Sequence, residues 1–172
     1  VILLEKNEKL GKKLYITGKG RCNVTNACGR DKFFENIVSN PKFLYSAFST
    51  FDNKRLEMFL ENNGCHLKEE RGERVFPASD HASDVTAAFE RFFKKSGVQV
   101  RLHCKVREIE TDGDRIIGVI LEDGRAIPAE CVIVATGGLS YQSTGSTGDG
   151  HRMAQALGHK VTDCVPALVS LE

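Results

Sequence analysis

No apolar run in this chain exceeds about five residues, whereas a membrane-spanning helix needs ~20 in succession. No charged-then-apolar leader precedes the first run either, so neither membrane insertion nor export is expected. Paired cysteine spacing is missing. Cys22, Cys28, Cys65, Cys104, Cys131 and Cys164 are scattered without a Cys-x-x-Cys, which argues against a zinc site or a secreted disulfide framework and for a reducing, cytoplasmic home. His66, His81, His103, His151 and His159 lack the i, i+4 pairing of a helical metal site, so no metal is expected. Strong charge of one sign is missing too: the net charge is +1, which does not suit a general nucleic-acid binder. One local exception is the cluster Lys6, Lys9, Lys12, Lys13, Lys19 and Arg21, diluted only by Glu8, which is either a solvated loop or a segment that meets a phosphate. It has no aromatic platform beside it for single-stranded binding. No nucleic-acid partner and no membrane partner are expected from these absences.

The most informative stretch present is residues 135–150, where glycines at 137, 138, 145, 148 and 150 follow the apolar run Cys131-Val132-Ile133-Val134-Ala135. A buried strand running into such a loop builds a phosphate-binding turn, because glycine permits close approach and positive φ while backbone N–H groups converge on an anion. A helix is expected to start near Asp149, with Met153, Ala154 and Leu157 at helical spacing and Gly158 at its end, adding a positive dipole end to the loop. Gly138 and Gly148 are then expected to lie close together. The alternative is a long loop in which glycine serves only the turns.

At the other end, Val1-Ile2-Leu3-Leu4 reads as a buried parallel strand closed by Glu5, the place where dinucleotide-binding folds put the acid that takes ribose hydroxyls. The Gly-rich turn that belongs roughly 20 residues before that acid is not in the sequence. The chain therefore reads as truncated at its N-terminus. Residues 1–5 and 131–135 are expected to be parallel strands of one sheet.

Between these ends, Phe43, Leu44, Ala47, Phe48 and Phe51 share a helical face, and Asp52 caps a second helix carrying Leu56, Phe59 and Leu60 and stopped by Gly64. Cys65–Glu70 and Arg74–Phe76 suggest a hairpin ended by Pro77. Asp80 or Ser83 opens a helix with Val85, Phe89, Phe92 and Phe93 inward and Gly97 beyond its end. Val98, Val100 and Leu102 alternate, and strands are expected at 105–111, 115–121 and 125–128, turning at Asp112-Gly113-Asp114 and Asp123-Gly124. No repeat or low-complexity linker intervenes. The expected class is α/β, a Rossmann-like domain over 1–165 with a parallel sheet and a β-meander, lacking its first strand and Gly-rich turn. Residues 166–172 would begin a connection to a further domain.

Three segments carry a family resemblance: Leu4-Glu5-Lys6, the stretch from Gly11 to Asn26 with Ile16-Thr17-Gly18-Lys19-Gly20-Arg21-Cys22-Asn23-Val24-Thr25-Asn26, and Ala135 to Gly150. With Phe76-Pro77-Ala78-Ser79-Asp80-His81-Ala82-Ser83-Asp84-Val85 and Pro166-Ala167-Leu168-Val169, they make essentially the whole chain resemble the YhiN/BaiN-like bacterial flavoproteins, the aminoacetone-oxidase-like NAD(P)/FAD-dependent oxidoreductases. The resemblance implies an FAD-binding lobe, with Glu5 and Lys6 at the adenosine ribose and Gly20, Arg21, Cys22 and Asn23 beside the flavin end. It further implies Val106 at the adenine through its backbone, Thr136, Gly137 and Gly138 along the pyrophosphate, and Gly148 and Asp149 near the ribityl or phosphate region. Thr17 and Lys19 stand where the family often has serine and a small residue, and Gln142 replaces an expected proline, whose loss loosens the loop.

Each role has a plainer competitor. Arg21 is an anion ligand or a surface cation, Asn23 a ligand or a helix cap, Cys22 a redox thiol or a packing residue, and Asp149 a ligand, an N-cap or both. The function implied is FAD-dependent oxidoreduction, with flavin-mediated hydride or electron transfer, NAD(P)H as a co-substrate and a small-molecule substrate of unknown identity. No side chain of this portion is required to be catalytic. The alternatives are a non-catalytic nucleotide-binding module and a thiol–disulfide oxidoreductase using Cys22 and Cys28. On a helix, residues six apart lie about 9 Å along the axis and about 120° round it, too far for a disulfide. A chain lacking the first strand and turn is expected to hold FAD weakly.

Overall fold

The computed structural model describes residues 1–165, so the expected connection at 166–172 lies outside the described residues. The chain divides into two compact units, one ending at Leu102 and the other starting at His103.

The first unit begins with β1 (Ile2–Leu4), followed by α1 (Lys12–Ile16), β2 (Thr25–Asn26), α2 (Arg30–Glu35) and α3 (Tyr45–Thr50). Next come α4 (Asn53–Asn62), β3 (Leu67–Glu70), β4 (Arg74–Pro77), α5 (Ala82–Lys95) and β5 (Gln99–Arg101). β1 and β5 pair in parallel, Ile2 opposite Gln99 and Leu4 opposite Arg101. β4 lies between β2 and β3 in an antiparallel sheet. The Asp52 carboxylate accepts from the Arg55 amide at 2.8 Å and so starts α4 where the side chain predicts. The core is built where α4 and α5 present their apolar stripes: Leu60, Ala82, Val85 and Ala88 are buried with Cys22 and Cys65, flanked by Leu14, Tyr15, Leu56, Phe59 and Phe89.

Two expectations fail here for a common reason. The 43–51 face is not core: Phe43 is 85% exposed and Phe51 53%, because only Phe48 finds cover, stacking on Phe33 at 4.2 Å. Phe92 is likewise on the rim, 37% exposed, with its ring edge on Phe59 at 5.0 Å. Helical spacing aligns side chains on a face without supplying the surface that buries it.

In the second unit β6 (Val106–Asp112), β7 (Arg115–Leu121) and β8 (Ala126–Pro128) form the expected antiparallel meander, and α6 spans Asp149–Ala156. Residues 131–135 are not a strand. Ile133 is 92% exposed and Val134 45%, and the segment makes no ladder with any described residue, so its expected place in one sheet with residues 1–5 is corrected. A strand exists only through a neighbour that takes its N–H and C=O groups, and β1 takes β5 as its parallel partner instead. Among the described residues, no helix is long and apolar enough to cross a membrane, and no group of His, Cys, Asp or Glu is placed to hold a metal ion.

Candidate functional site

Glu5 follows directly on β1, and its amide donates to the Arg101 carbonyl at 2.9 Å, extending the parallel pairing by one residue. Its Oε1 accepts from both the backbone and the side-chain nitrogen of Asn7, each at 2.8 Å, which fixes the carboxylate at the carboxyl end of the parallel pair. Lys6 beside it is half-buried. This is the edge of a parallel sheet at which dinucleotide folds bind their ligand.

The stretch from Thr17 to Asn23 is a tight, strained turn. Gly18, Lys19, Gly20 and Cys22 all have positive φ, and two of these are not glycine. A Cβ on Gly18 would stand 2.9 Å from the Asn23 nitrogen and 3.0 Å from the Phe76 ring, so the turn closes only around a glycine. Backbone bonds hold it: Cys22 N–H to the Thr17 carbonyl at 3.1 Å and Arg21 N–H to the Gly18 carbonyl at 3.3 Å.

Side chains hold it more firmly. The Arg21 guanidinium lies over the Phe76 ring, 4.1 Å from its centroid, and its Nη1 donates to Glu70 Oε1 at 2.9 Å and to Asp80 Oδ1 at 3.2 Å. Lys68 Nζ completes the cluster, 2.6 Å from Asp80 Oδ2 and 3.6 Å from Glu70 Oε1. Lys68, then Arg21, hold the Asp80 carboxyl below the usual aspartate range, while Glu70 raises Arg21 further and Asp80 raises Lys68. Two cations and two carboxylates thus balance, and the charge of the partly exposed Arg21 is met by carboxylates of its own chain. The exposed positions of the turn are Lys19, Gly20 and Asn23, and Asn23 caps no helix. Cys22 is 1% exposed, and burial pushes its thiol pKa up, which disfavours the thiolate. Cys28 is also buried and free, and the pair is separated by extended β2 rather than by helix.

In the second unit, Val106 opens β6 opposite Leu121. The pairing slips between Val106 and Glu108, leaving Arg107 as a bulge with no partner across the ladder. Thr136, Gly137 and Gly138 are exposed along the glycine loop, with Gly137 at φ 72°. The loop closes where Gly148 N–H donates to the Gly138 carbonyl at 3.1 Å, which brings those two glycines together as expected. Gly148 is the N-cap of α6, at φ 77°, so Asp149 is the first helical residue rather than the cap. Both Asp149 oxygens are engaged: Oδ2 accepts from Thr147 Oγ1 at 3.2 Å and Oδ1 from Arg152 Nη2 at 3.1 Å.

Each unit taken by itself carries features that suit FAD. In the first, an acid stands at the carboxyl end of a parallel strand. In the second, a Cβ on Gly138 would meet nothing within 4 Å, and the loop leads into a helix N-terminus whose first N–H groups have no intrahelical acceptor. Sequence reading missed several contributors. The ion cluster of Glu70, Asp80 and Lys68 around Arg21 gave no signal as a cluster, because Arg21 is 49 and 59 residues away from the two acids, which Lys68 shares with it. Gly150 is needed for packing: a Cβ there would stand 2.7 Å from Thr136 Oγ1 and 3.0 Å from Val134 Cγ1. Its place in the Gly-Asp-Gly string was the available signal.

Residues 1–167 match the family described as HI0933-like protein Rossmann domain. The whole chain is 33% identical to a 3-dehydro-bile acid delta(4,6)-reductase of Clostridium scindens, covering 41% of that protein. It is 27% identical over 170 residues, 98% of the chain, to the ribosomal RNA dihydrouridine synthase of Escherichia coli, again covering 41%. The chain therefore spans about two fifths of the length of these relatives. Among solved structures, the open conformation of a flavocytochrome c3 fumarate reductase superposes over 91% of this chain and 36% of its own, with a TM-score of 0.58 at 21% identity, a likeness of fold.

Proposed function

From the premise that the chain belongs to the HI0933-like Rossmann domain family, we propose that it carries the FAD site of an oxidoreductase that reduces a conjugated carbon–carbon double bond in a small organic molecule. The observation that carries this reading is the glycine loop closed by the Gly148–Gly138 hydrogen bond and leading into α6, a ready anion site that lies within the family match over residues 1–167. Bound FAD would supply the hydride or electron chemistry, and the protein supplies binding, orientation and electrostatics. In this reading Glu5 and Lys6 bind at the adenosine ribose and the Val106 backbone meets the adenine. Thr136, Gly137 and Gly138 line the pyrophosphate, and Gly148 and Asp149 face the ribityl or phosphate region. Gly20 and Asn23 present the turn beside the flavin end, which Arg21 and Cys22 hold from within. NAD(P)H is the proposed source of the hydride, and the six free cysteines suit a reducing cytosol.

The substrate class rests on the relatives' names. A delta(4,6)-reductase of a 3-dehydro-bile acid and a dihydrouridine synthase share the addition of hydrogen to a double bond conjugated with a carbonyl. The small molecule is favoured over RNA by the higher identity of the first relative and by a net charge of only +1. The readings of a module without turnover and of a Cys22–Cys28 thiol enzyme compete with this one, and burial of both thiols weighs against the second.

The test uses protein purified from its complete coding sequence. It is expected to show a flavin absorption spectrum that bleaches anaerobically with NADH or NADPH and recolours on addition of a conjugated ketone. Recolouring only with uridine-containing ribosomal RNA would select the RNA substrate, a colourless protein would remove the flavin reading, and a spectrum that never bleaches would leave a binding module. Glu5→Ala is expected to weaken FAD by about tenfold or more, the cost of losing a charge-assisted hydrogen bond.

A further inference from the structure

Arg152 ties the start of α6 to β6. Its Nη1 donates to the Arg107 carbonyl at 2.9 Å while its Nη2 donates to Asp149 Oδ1 at 3.1 Å. Each acceptor has a reason to be there. Arg107 sits in the β-bulge that follows Val106, so it has no partner residue across the ladder and its carbonyl is turned to a side chain. Asp149 occupies the first position of α6 with its side chain only 12% exposed, so a charge is held largely out of water where the site must also accept the negative charge of a phosphate.

We propose that Arg152 is a positioning residue for FAD: it neutralises Asp149, fixes that carboxylate's orientation, and locks the loop at Gly148–Asp149 to the strand at Val106–Arg107. The inference rests on the FAD reading above. It has three physical parts. A bare carboxylate beside the pyrophosphate would repel it, and pairing with a guanidinium removes that repulsion. With Oδ1 held by Arg152 and Oδ2 by Thr147, the carboxylate is set in one orientation before the ligand arrives. The planar fork of arginine reaches both acceptors at once, which the single ammonium of lysine does not.

The experiment compares FAD dissociation constants, read by flavin fluorescence, for the full-length protein and its Arg152→Met, Arg152→Lys, Asp149→Asn and Asp149→Asn/Arg152→Met forms. Amide hydrogen exchange is followed in the flavin-free proteins. Arg152→Met is expected to weaken FAD at least tenfold and to speed exchange at 106–108 and 149–152. Arg152→Lys should fall between it and the wild type. The double variant should bind no more weakly than Asp149→Asn, since the neutral amide no longer needs a counter-charge and the two changes act through one contact. Wild-type FAD affinity in folded Arg152→Met, or additive losses in the double variant, would overturn the proposal and leave the FAD reading standing. A wild-type protein that binds no FAD would overturn both. Melting curves identify any variant that has failed to fold, and Arg152→Lys, which keeps the charge, then decides: affinity and exchange equal to wild type would overturn the proposal.

Discussion

Arg21 belongs by sequence to a run of six cations, but in the fold its guanidinium is enclosed by Glu70, Asp80 and the Phe76 ring. The strained turn it closes carries Lys19 and Cys22 at φ 57° and 62°, a conformation that surrounding contacts must enforce. Since the pairs are about a third exposed, solvent screens them, and their value lies in holding the turn more than in bulk stability. The acid side of the stability profile follows. The folded pKa of Asp80 lies below its ordinary ~3.9, so its contribution is fully present above that value and is lost as pH falls through the lower folded pKa. Asp80→Asn is therefore expected to lower the melting temperature at neutral pH. Its gap to the wild type should narrow as the pH is taken below about 4, as melts across a pH series will measure. A gap that stays constant into strong acid would mean that Asp80 does not act through its charge.

At the scale of elements, the start of α6 and the loop before it form one device. Gly150 lets residues Val134 and Thr136 lie against the helix, and Gly148 bonds back to Gly138. Gly150→Ala would place a Cβ 2.7 Å from Thr136 Oγ1, and although alanine is the better helix former, the overlap is expected to destabilise by about 1–3 kcal/mol. Chemical denaturation monitored at the second unit checks this, and a stabilised variant would show that the loop yields freely. Elements carried by local signals were legible in advance. Asp52 announced the start of α4, the spacing of Val85 and Phe89 announced α5, and turn residues at 112–114 and 123–124 announced the meander. The 131–135 run failed because its apolar, β-branched composition describes a strand that a neighbour must still complete.

For the whole molecule, the first unit depends on one small core in which Leu60 is fully buried among Cys22, Cys65, Val85 and Ala88. Leu60→Ala is expected to cost about 2–5 kcal/mol, since few neighbours can collapse into the space left. Urea unfolding should show the loss, and an unchanged midpoint would mean the core lies elsewhere. Because Cys22 is part of that core, the same variant is expected to loosen the turn at 18–22 and make the Cys22 thiol reactive toward alkylating reagents. The sequence by itself determined the glycine strings, the acid after the first apolar run, the starts of α4 and α6 and the alternating strands, because those depend on the chain's own steric and hydrophobic periodicity over a few residues. By contrast, α5 starts after His81 instead of the expected Asp80 or Ser83. Only the tertiary structure decided that β1 pairs with β5, that Arg21 serves two carboxylates of its own chain, and that Arg152 bridges a bulged strand to Asp149. Each of those contacts joins residues that no local pattern relates, and partner choice over such separations is settled by packing and charge balance in three dimensions.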